Sequence, residues 1–232
     1  MLSDKEAPFL VVAALSYELE KLNNVSHSGV VLLETGEGVQ NAGRHLEAWL
    51  ERHDARAVLS IGFAGGLSSS LQPGDIVVAR EVRDSASKPD HALLSAAKDL
   101  RLGFPVVLGI ALTSNEIVWK AEAKHALARS LNKDEVGFVD MESTAIARVC
   151  TQRGLPFLIA RSITDLLDED LPFNFNLYRN HDGRVESKQV IKAALRKPLA
   201  IKGLLALRKR SQLCAEHIAA FVSSLTDLRS KL

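Results

Sequence analysis

Cysteine is scarce: Cys150 and Cys214 are the two in 232 residues. They show neither metal nor redox spacing, so a reduced cytoplasmic protein is expected. Long apolar runs are missing as well. "FPVVLGIAL" (104–112) is among the longest and is far too short to cross a bilayer. Neither sign of charge dominates, with 29 Lys and Arg against 28 Asp and Glu for a net +1. That balance removes the whole-chain electrostatic case for a nucleic-acid partner. The histidines at 27, 45, 53, 91, 125, 181 and 217 are scattered with no pair at ligand spacing, so no metal site is expected. "MLSDKEAPF" places two acids before any apolar run, which does not read as a secretory signal. Internal repeats, low-complexity tracts and domain linkers are also lacking, which leaves one large domain over 1–232.

What is present is alternation. "FLVVAAL" (9–15), "GVVLLET" (29–35), "ARAVLSIG" (55–62), "GDIVVAREVRD" (74–84), "GFPVVLGIALTS" (103–114), the start of "GFVDMESTAIARVC" (137–150) and "PFLIARSIT" (156–164) read as strands. "SYELEKL" (16–22), "QNAGRHLEAWLERH" (40–53), the end of "GFVDMESTAIARVC" and "KAEAKHALARSL" (120–131) switch to helical spacing, the last with Ala121, Ala128 and Leu131 among its apolar positions. Near-continuous apolar strands alternating with helices imply a sheet covered on both faces. The fold class is therefore α/β: a single domain with a central, mixed, mostly parallel twisted sheet flanked by helices. From about residue 185 a helical extension follows. Positions 184–210 hold nine Lys or Arg against one Glu and read as two helices broken at Pro198. Apolar residues at 201, 204, 205, 218, 221, 222 and 225 predict a core-facing stripe. The basic excess is either a solvated face or an edge that touches anionic membrane lipid.

Two glycine-rich turns stand out. "SIGFAGGL" (60–67) follows a strand, where small residues turn the chain or let the backbone approach a ligand closely. Its spacing is not the dinucleotide fingerprint and no Gly-Lys-Ser/Thr follows, which excludes a nucleotide-dependent oxidoreductase. In "ETGEGVQNAG" (34–43), the amides around Gly36 and Gly38 either cradle an anion or simply turn the chain.

Three apolar strands are each followed by an acid: Glu18, Glu142 and Asp165. Singly, each reads as a helix cap or a partner for a cation such as Arg161, and Asp165 beside Ser162 and Thr164 as a cap. Together they suit cleavage of an N-ribosyl bond, which passes through a cation-like sugar. One acid, held protonated, would supply the departing base, and another, held ionised, would face the ribose. The third would be a general base for water. In open parallel sheets such ligands bind at the carboxyl ends of strands, where these acids are expected.

These residues also carry a resemblance. From about 9 to 170, "SYELEKL", "SIGFAGGL…PGDIVV", "VDMESTAIARVC" and "PFLIARSITD" occur in the order seen in the purine nucleoside phosphorylase and 5′-methylthioadenosine/S-adenosylhomocysteine nucleosidase superfamily. The tail, "DLPFNFNLYRNHDGRV…ALRKPLAIKGLLALRK", is similar to hopanoid-associated members. The resemblance implies that Glu18 activates water, that Met141 packs on the ribose, that Glu142 binds its hydroxyls, and that Asp165 protonates purine N7. Thr164 would steady Asp165, and Asp140 would match an acid near the ribose pocket. Ala64 and Gly65 fall in the substrate-binding stretch, and Val118 or Trp119 would face the base, core packing being the other reading of Trp119. No metal or organic cofactor is implied, and a homodimer is. The substrate implied is an adenine-type nucleoside, extending to a lipid-linked one such as adenosylhopane; peripheral membrane contact is an expectation from the basic tail alone.

Two departures bear on the nucleophile. Phe63 stands where relatives carry a small hydroxyl residue, and its ring would exclude phosphate or contact an apolar 5′ substituent. Arg44 and Arg80 are the candidates for clamping phosphate. With Glu18 these points favour water, while the tail favours phosphate as co-substrate; both stay open. The alternative from another class is a non-catalytic nucleoside-binding protein on the same scaffold, against which the three acids argue.

Overall fold

The computed structural model describes residues 7–22, 29–83, 85–180, 183–196 and 198–230. The start of the stretch read for a secretory signal (residues 1–6), His27, Asp84, His181 and Lys197 lie outside the described residues. Eight strands form the frame: β1 (Phe9–Ala13), β2 (Val30–Glu34), β3 (Ala57–Ser60), β4 (Phe63–Gly66), β5 (Ile76–Val82), β6 (Val106–Thr113), β7 (Gly137–Asp140) and β8 (Phe157–Asp165). The helices are α1 (Ser16–Leu19), α2 (Val39–Leu50), α3 (His91–Asp99), α4 (Ala121–Ala128), α5 (Ser143–Gln152), α6 (Ser187–Ala194) and α7 (Pro198–Ser230). The expected strands are present. One strand and one helix are additions: "FAGG", read as a turn, is β4, and α3 starts at Asp90, whose carboxylate accepts from Leu93 N–H at 2.8 Å.

The sheet runs β2-β1-β3-β8-β4-β7-β6-β5, and β5 returns to pair with β8. Six of the eight strand pairings are parallel, with β4–β7 and β5–β8 antiparallel, so the α/β fold with a mixed, mostly parallel sheet holds. β3 and β4 lie in line along one edge of β8, Val58 beside Phe157 and Phe63 beside Ser162. β5 takes the other edge of β8, and β6 and β7 complete a closed ring of five strands. β8 belongs to both the ring and the open wing of β3, β1 and β2, and all nine of its residues are buried.

Alternation along the strands fills both faces. Leu10, Val12, Val58 and Ile159 join Ala42 and Leu46 of α2 and Ile146 and Val149 of α5 in one core. Phe9, Val11, Leu59 and Leu158 point the other way, toward Leu93 of α3 and Ile218, Phe221, Val222 and Leu225 of α7. The C-terminal half of α7 is thus core, as its stripe predicts. Its N-terminal half departs: Ile201 and Leu204 pack on Phe173, Val190 and Ala194, but Leu205, about 100° further round the helix from Leu204, is 61% exposed. No helix among the described residues is long and apolar enough to cross a membrane.

Candidate active site

A cavity of about 490 Å³ is lined by the segment after β1, by β4, and by the ends of β7 and β8, a size usual for small-molecule sites. Glu18, Glu142 and Asp165 all line it. A common parallel edge does not bring them together. β4 runs parallel to β8 and antiparallel to β7, so Glu142 arrives from a strand directed against the one that carries Asp165. Closure of the five-strand ring makes the meeting.

Glu18 is buried in α1 and held at both oxygens. Leu15 N–H donates to Oε2 at 2.9 Å and Phe63 N–H to Oε1 at 2.8 Å. The carboxylate comes so close to the chain that a Cβ on Gly62, whose φ is +151°, would lie 2.8 Å from Oε1. Burial pushes its pKa up to about 7, against those two amides and the Arg161 charge, which puts it in the range of a general base.

Asp165 ends β8. A Cβ on Gly65 would lie 3.1 Å from its Oδ2, so Gly62 and Gly65 of one motif each admit one acid. Thr164 Oγ1 donates to Oδ1 at 2.8 Å. Lys124 Nζ stands 2.5 Å from Oδ2, a charge contact poorly directed as a hydrogen bond, for Oδ2 has no aligned donor. The ammonium instead donates to the carbonyls of Leu166 and Glu169 at 2.7 and 2.9 Å. Burial raises the Asp165 pKa and outweighs the opposing Lys124 charge and Thr164 hydroxyl, which favours a protonated acid.

Glu142 and Asp140, one residue apart from each other across Met141, have different fates. Arg161, itself buried, reaches Asp140 Oδ2 at 2.8 Å, and Ser143 donates to Asp140 from its hydroxyl and, at 3.2 Å, from its amide. Asp140 thus caps α5 and neutralises a buried guanidinium, although it also borders the cavity. Glu142 Oε1 accepts from Gly38 N–H at 2.8 Å, at the N-terminus of α2. The anion cradled by the "TGEG" turn is therefore a carboxylate of the protein. Burial, then the Asp140 charge, push Glu142 up to about 8 against Arg161 and the Gly38 amide.

Met141, Thr164, Phe63, Ala64 and Val118 also line the cavity. Phe63 packs its ring 5.5 Å from that of Tyr17. Trp119 is a correction: it does not line the cavity, and its ring lies under Lys120 Nζ at 4.5 Å. The chain turns at that point so that Val118 faces inward, while Phe175 provides an aromatic from elsewhere. The Asn176 amide clamps Ile117 at N and O, both at 2.9 Å, which ties the "TSNEIVWK" segment to the turn carrying Phe175. Arg44 and Arg80 are a second correction. Arg44 bonds Asn41 at 3.2 Å on α2, and Arg80 pairs with Glu135 at 2.9 Å, both away from the cavity. Among the described residues the guanidinium on the cavity wall is that of Arg184, paired with Glu34 at 3.1 Å.

Sequence reasoning missed Tyr17, Glu37, Arg184 and Phe175, which line the cavity although each lies in a quoted stretch, Tyr17 on α1 next to Glu18. It also missed Lys124, although a signal existed: Lys124 lies three residues after Ala121 and four before Ala128, on a row read as apolar, and it is the buried residue of α4. No group of three His, Cys, Asp or Glu that could hold a metal ion occurs among the described residues.

Solved structures share this fold. The chain is similar to a 5′-methylthioadenosine/S-adenosylhomocysteine nucleosidase from Neisseria meningitidis in complex with methylthio-immucillin-A, with TM-score 0.71 and 21% identity over 97% of this chain and 100% of that one. It is similar to one from Colwellia psychrerythraea 34H in complex with adenine, with TM-score 0.71 and 22% identity over 95% and 94%. Futalosine hydrolase of Helicobacter pylori strain 26695 matches at TM-score 0.73 and 16% identity over 97% and 99%. At these identities the likeness is one of fold. The sequence adds what fold alone does not: residues 5–196 match the profile of the phosphorylase superfamily, so the chain belongs to that superfamily and is an enzyme.

Proposed function

We propose that the chain cleaves the N-ribosyl bond of an adenine-type nucleoside by hydrolysis. The observation that carries this reading is that three buried carboxyl groups from separate segments, all with raised pKa, line one cavity. The similar structures in complex with adenine and with methylthio-immucillin-A support the same base. Asp165 gives its proton to purine N7 as the C1′–N9 bond breaks, so that its electron pair leaves on a neutral base. Glu142 faces the ribose hydroxyls; burial favours its protonated form in the empty cavity, and its ionised form stabilises the cation that develops on the sugar. Glu18 takes a proton from the water that attacks C1′. No metal or organic cofactor enters this scheme.

A second reading, phosphorolysis, is favoured by Arg184 on the cavity wall. Water is better supported, because Arg44 and Arg80 lie elsewhere and Glu18 has the pKa of a base. Ile117, Leu171, Phe175, Val185 and Leu207 give the cavity an apolar side, which suits an apolar 5′ substituent. The adenosyl lipid that the tail resemblance implies, such as adenosylhopane, is the largest of that class.

The test is adenine release from 5′-methylthioadenosine, S-adenosylhomocysteine and an adenosyl-lipid analogue, each with and without phosphate, alongside Asp165→Asn. Phosphate-independent release that drops at least about a hundredfold in the variant is expected. Release that requires phosphate makes the enzyme a phosphorylase. Wild-type rates in Asp165→Asn remove the acid assignment. We also expect a homodimer, for which equilibrium sedimentation should give twice the 25.3 kDa of the chain.

A further inference from the structure

We propose that the outer face of the α6–α7 hairpin docks on an anionic bilayer surface. α6 turns Val190 and Ala194 inward onto Phe173. On its outer side Ile191 and Leu195, one helical turn apart, are 58% and 72% exposed. Lys188, Lys192 and Arg196, all exposed, form the adjoining row at the same spacing. α7 repeats the pattern. Leu205, 61% exposed, has exposed cations at Lys202, Arg208 and Lys209, which are its neighbours at i−3, i+3 and i+4. Between Glu186 and Glu216 the chain has eight Lys or Arg and no acid. Arg210 alone of the described ones reaches an acid, pairing with Glu169 at 2.6 Å.

Aliphatic side chains standing in water among unopposed cations match an interface of acyl chains under anionic headgroups. A nucleic acid would meet the cations but leave Ile191, Leu195 and Leu205 in water. A second copy of this chain joined here across a two-fold axis would set the patch on itself, cation against cation. Leu207 and Ser211 of the same α7 line the cavity, so docking places the cavity wall next to the membrane. The inference stands apart from the N-ribosyl reading, because its test needs no turnover.

The experiment is pelleting of the full chain with vesicles of phosphatidylcholine, alone or mixed with phosphatidylglycerol, at low and high salt. Binding to the mixed vesicles at low salt and release at high salt are expected. The Lys188→Glu/Lys192→Glu/Arg196→Glu variant should lower the partition coefficient at least about tenfold. An Ile191→Ser/Leu195→Ser/Leu205→Ser variant, with unchanged circular dichroism and mass at sedimentation equilibrium, should lower it comparably. Failure of the wild-type chain to pellet at low salt overturns the proposal. So does serine-variant binding equal to wild type, which marks a site for soluble polyanions. A serine variant that falls to a smaller mass assigns the face to a second copy.

Discussion

At Asp165 two opposing influences meet, and under the proposed mechanism the balance between them sets the pH range in which the acid holds its proton. Burial lifts the carboxyl, while the Lys124 charge and the Thr164 hydroxyl pull it down. Lys124→Met keeps the side-chain bulk and removes the charge. The ionised form of Asp165 then loses its counter-charge, so its pKa rises further and the basic limb of the kcat/KM profile should move to higher pH by about 1–3 units. An unmoved limb in the variant would show that Asp165 is not the acid, or that Lys124 serves only the carbonyls of Leu166 and Glu169. The same scale shows where reading residues stops. "DMES" presents two acids of equal promise, and only the position of Arg161, which pairs with Asp140 at 2.8 Å, separates the structural one from the one left to face a ligand. Lys124 was visible as a cation on an apolar row, but its partner lies 41 positions away in the chain, at Asp165, and no local pattern links the two.

At the scale of elements, the glycines of "GFAGG" lie in β4 or, for Gly62, just before it, and Gly62 and Gly65 make room for acids carried by neighbouring elements. Gly62→Ala should push the Glu18 carboxylate off its two amides, since the new Cβ would fall 2.8 Å from Oε1. We expect kcat for base release to fall at least about tenfold and stability to fall by about 1–3 kcal/mol from the strained φ. A variant that loses stability but keeps its kcat would place Glu18 outside the chemistry. The apolar strands and their order were legible because each one carries its own β-branched run. The pairing of β7 against β4 was not. Whether a short strand of four residues runs with or against its neighbour depends on the ring it closes, and its composition is the same either way.

Over the whole molecule, the raised carboxyls make stability depend on pH in a direction opposite to that of ordinary ion-paired acids. Glu18 and Glu142 move from 4.5 to about 7 and about 8. Their contribution is fully present below pH 4.5 and lost as pH rises through 7 to 8, because the unfolded chain releases those protons earlier. The ligand-free protein should therefore be less stable to urea at pH 8.5 than at pH 5.5, by about 2 kcal/mol from Glu18 alone. Glu18→Gln should flatten that part of the slope. A wild-type midpoint that is constant across the window would show that neither acid is held in a low-dielectric site.

The chain by itself determined the class of architecture and the three acids of the site. Apolar runs of period two, separated by helical spacing, have one economical way to bury both faces, and Glu18, Glu142 and Asp165 could be singled out because each follows such a run. Tertiary structure alone decided how they meet and which neighbours they keep. The return of β5 to β8 closes the ring, Arg161 takes up Asp140, Val118 rather than Trp119 faces inward, and Lys124 is carried to Asp165. Burial free energy is set by local apolar content and so is written along the sequence. Charge pairing and strand direction depend on which distant segments share a low-dielectric space, and that is settled only when the chain has closed on itself.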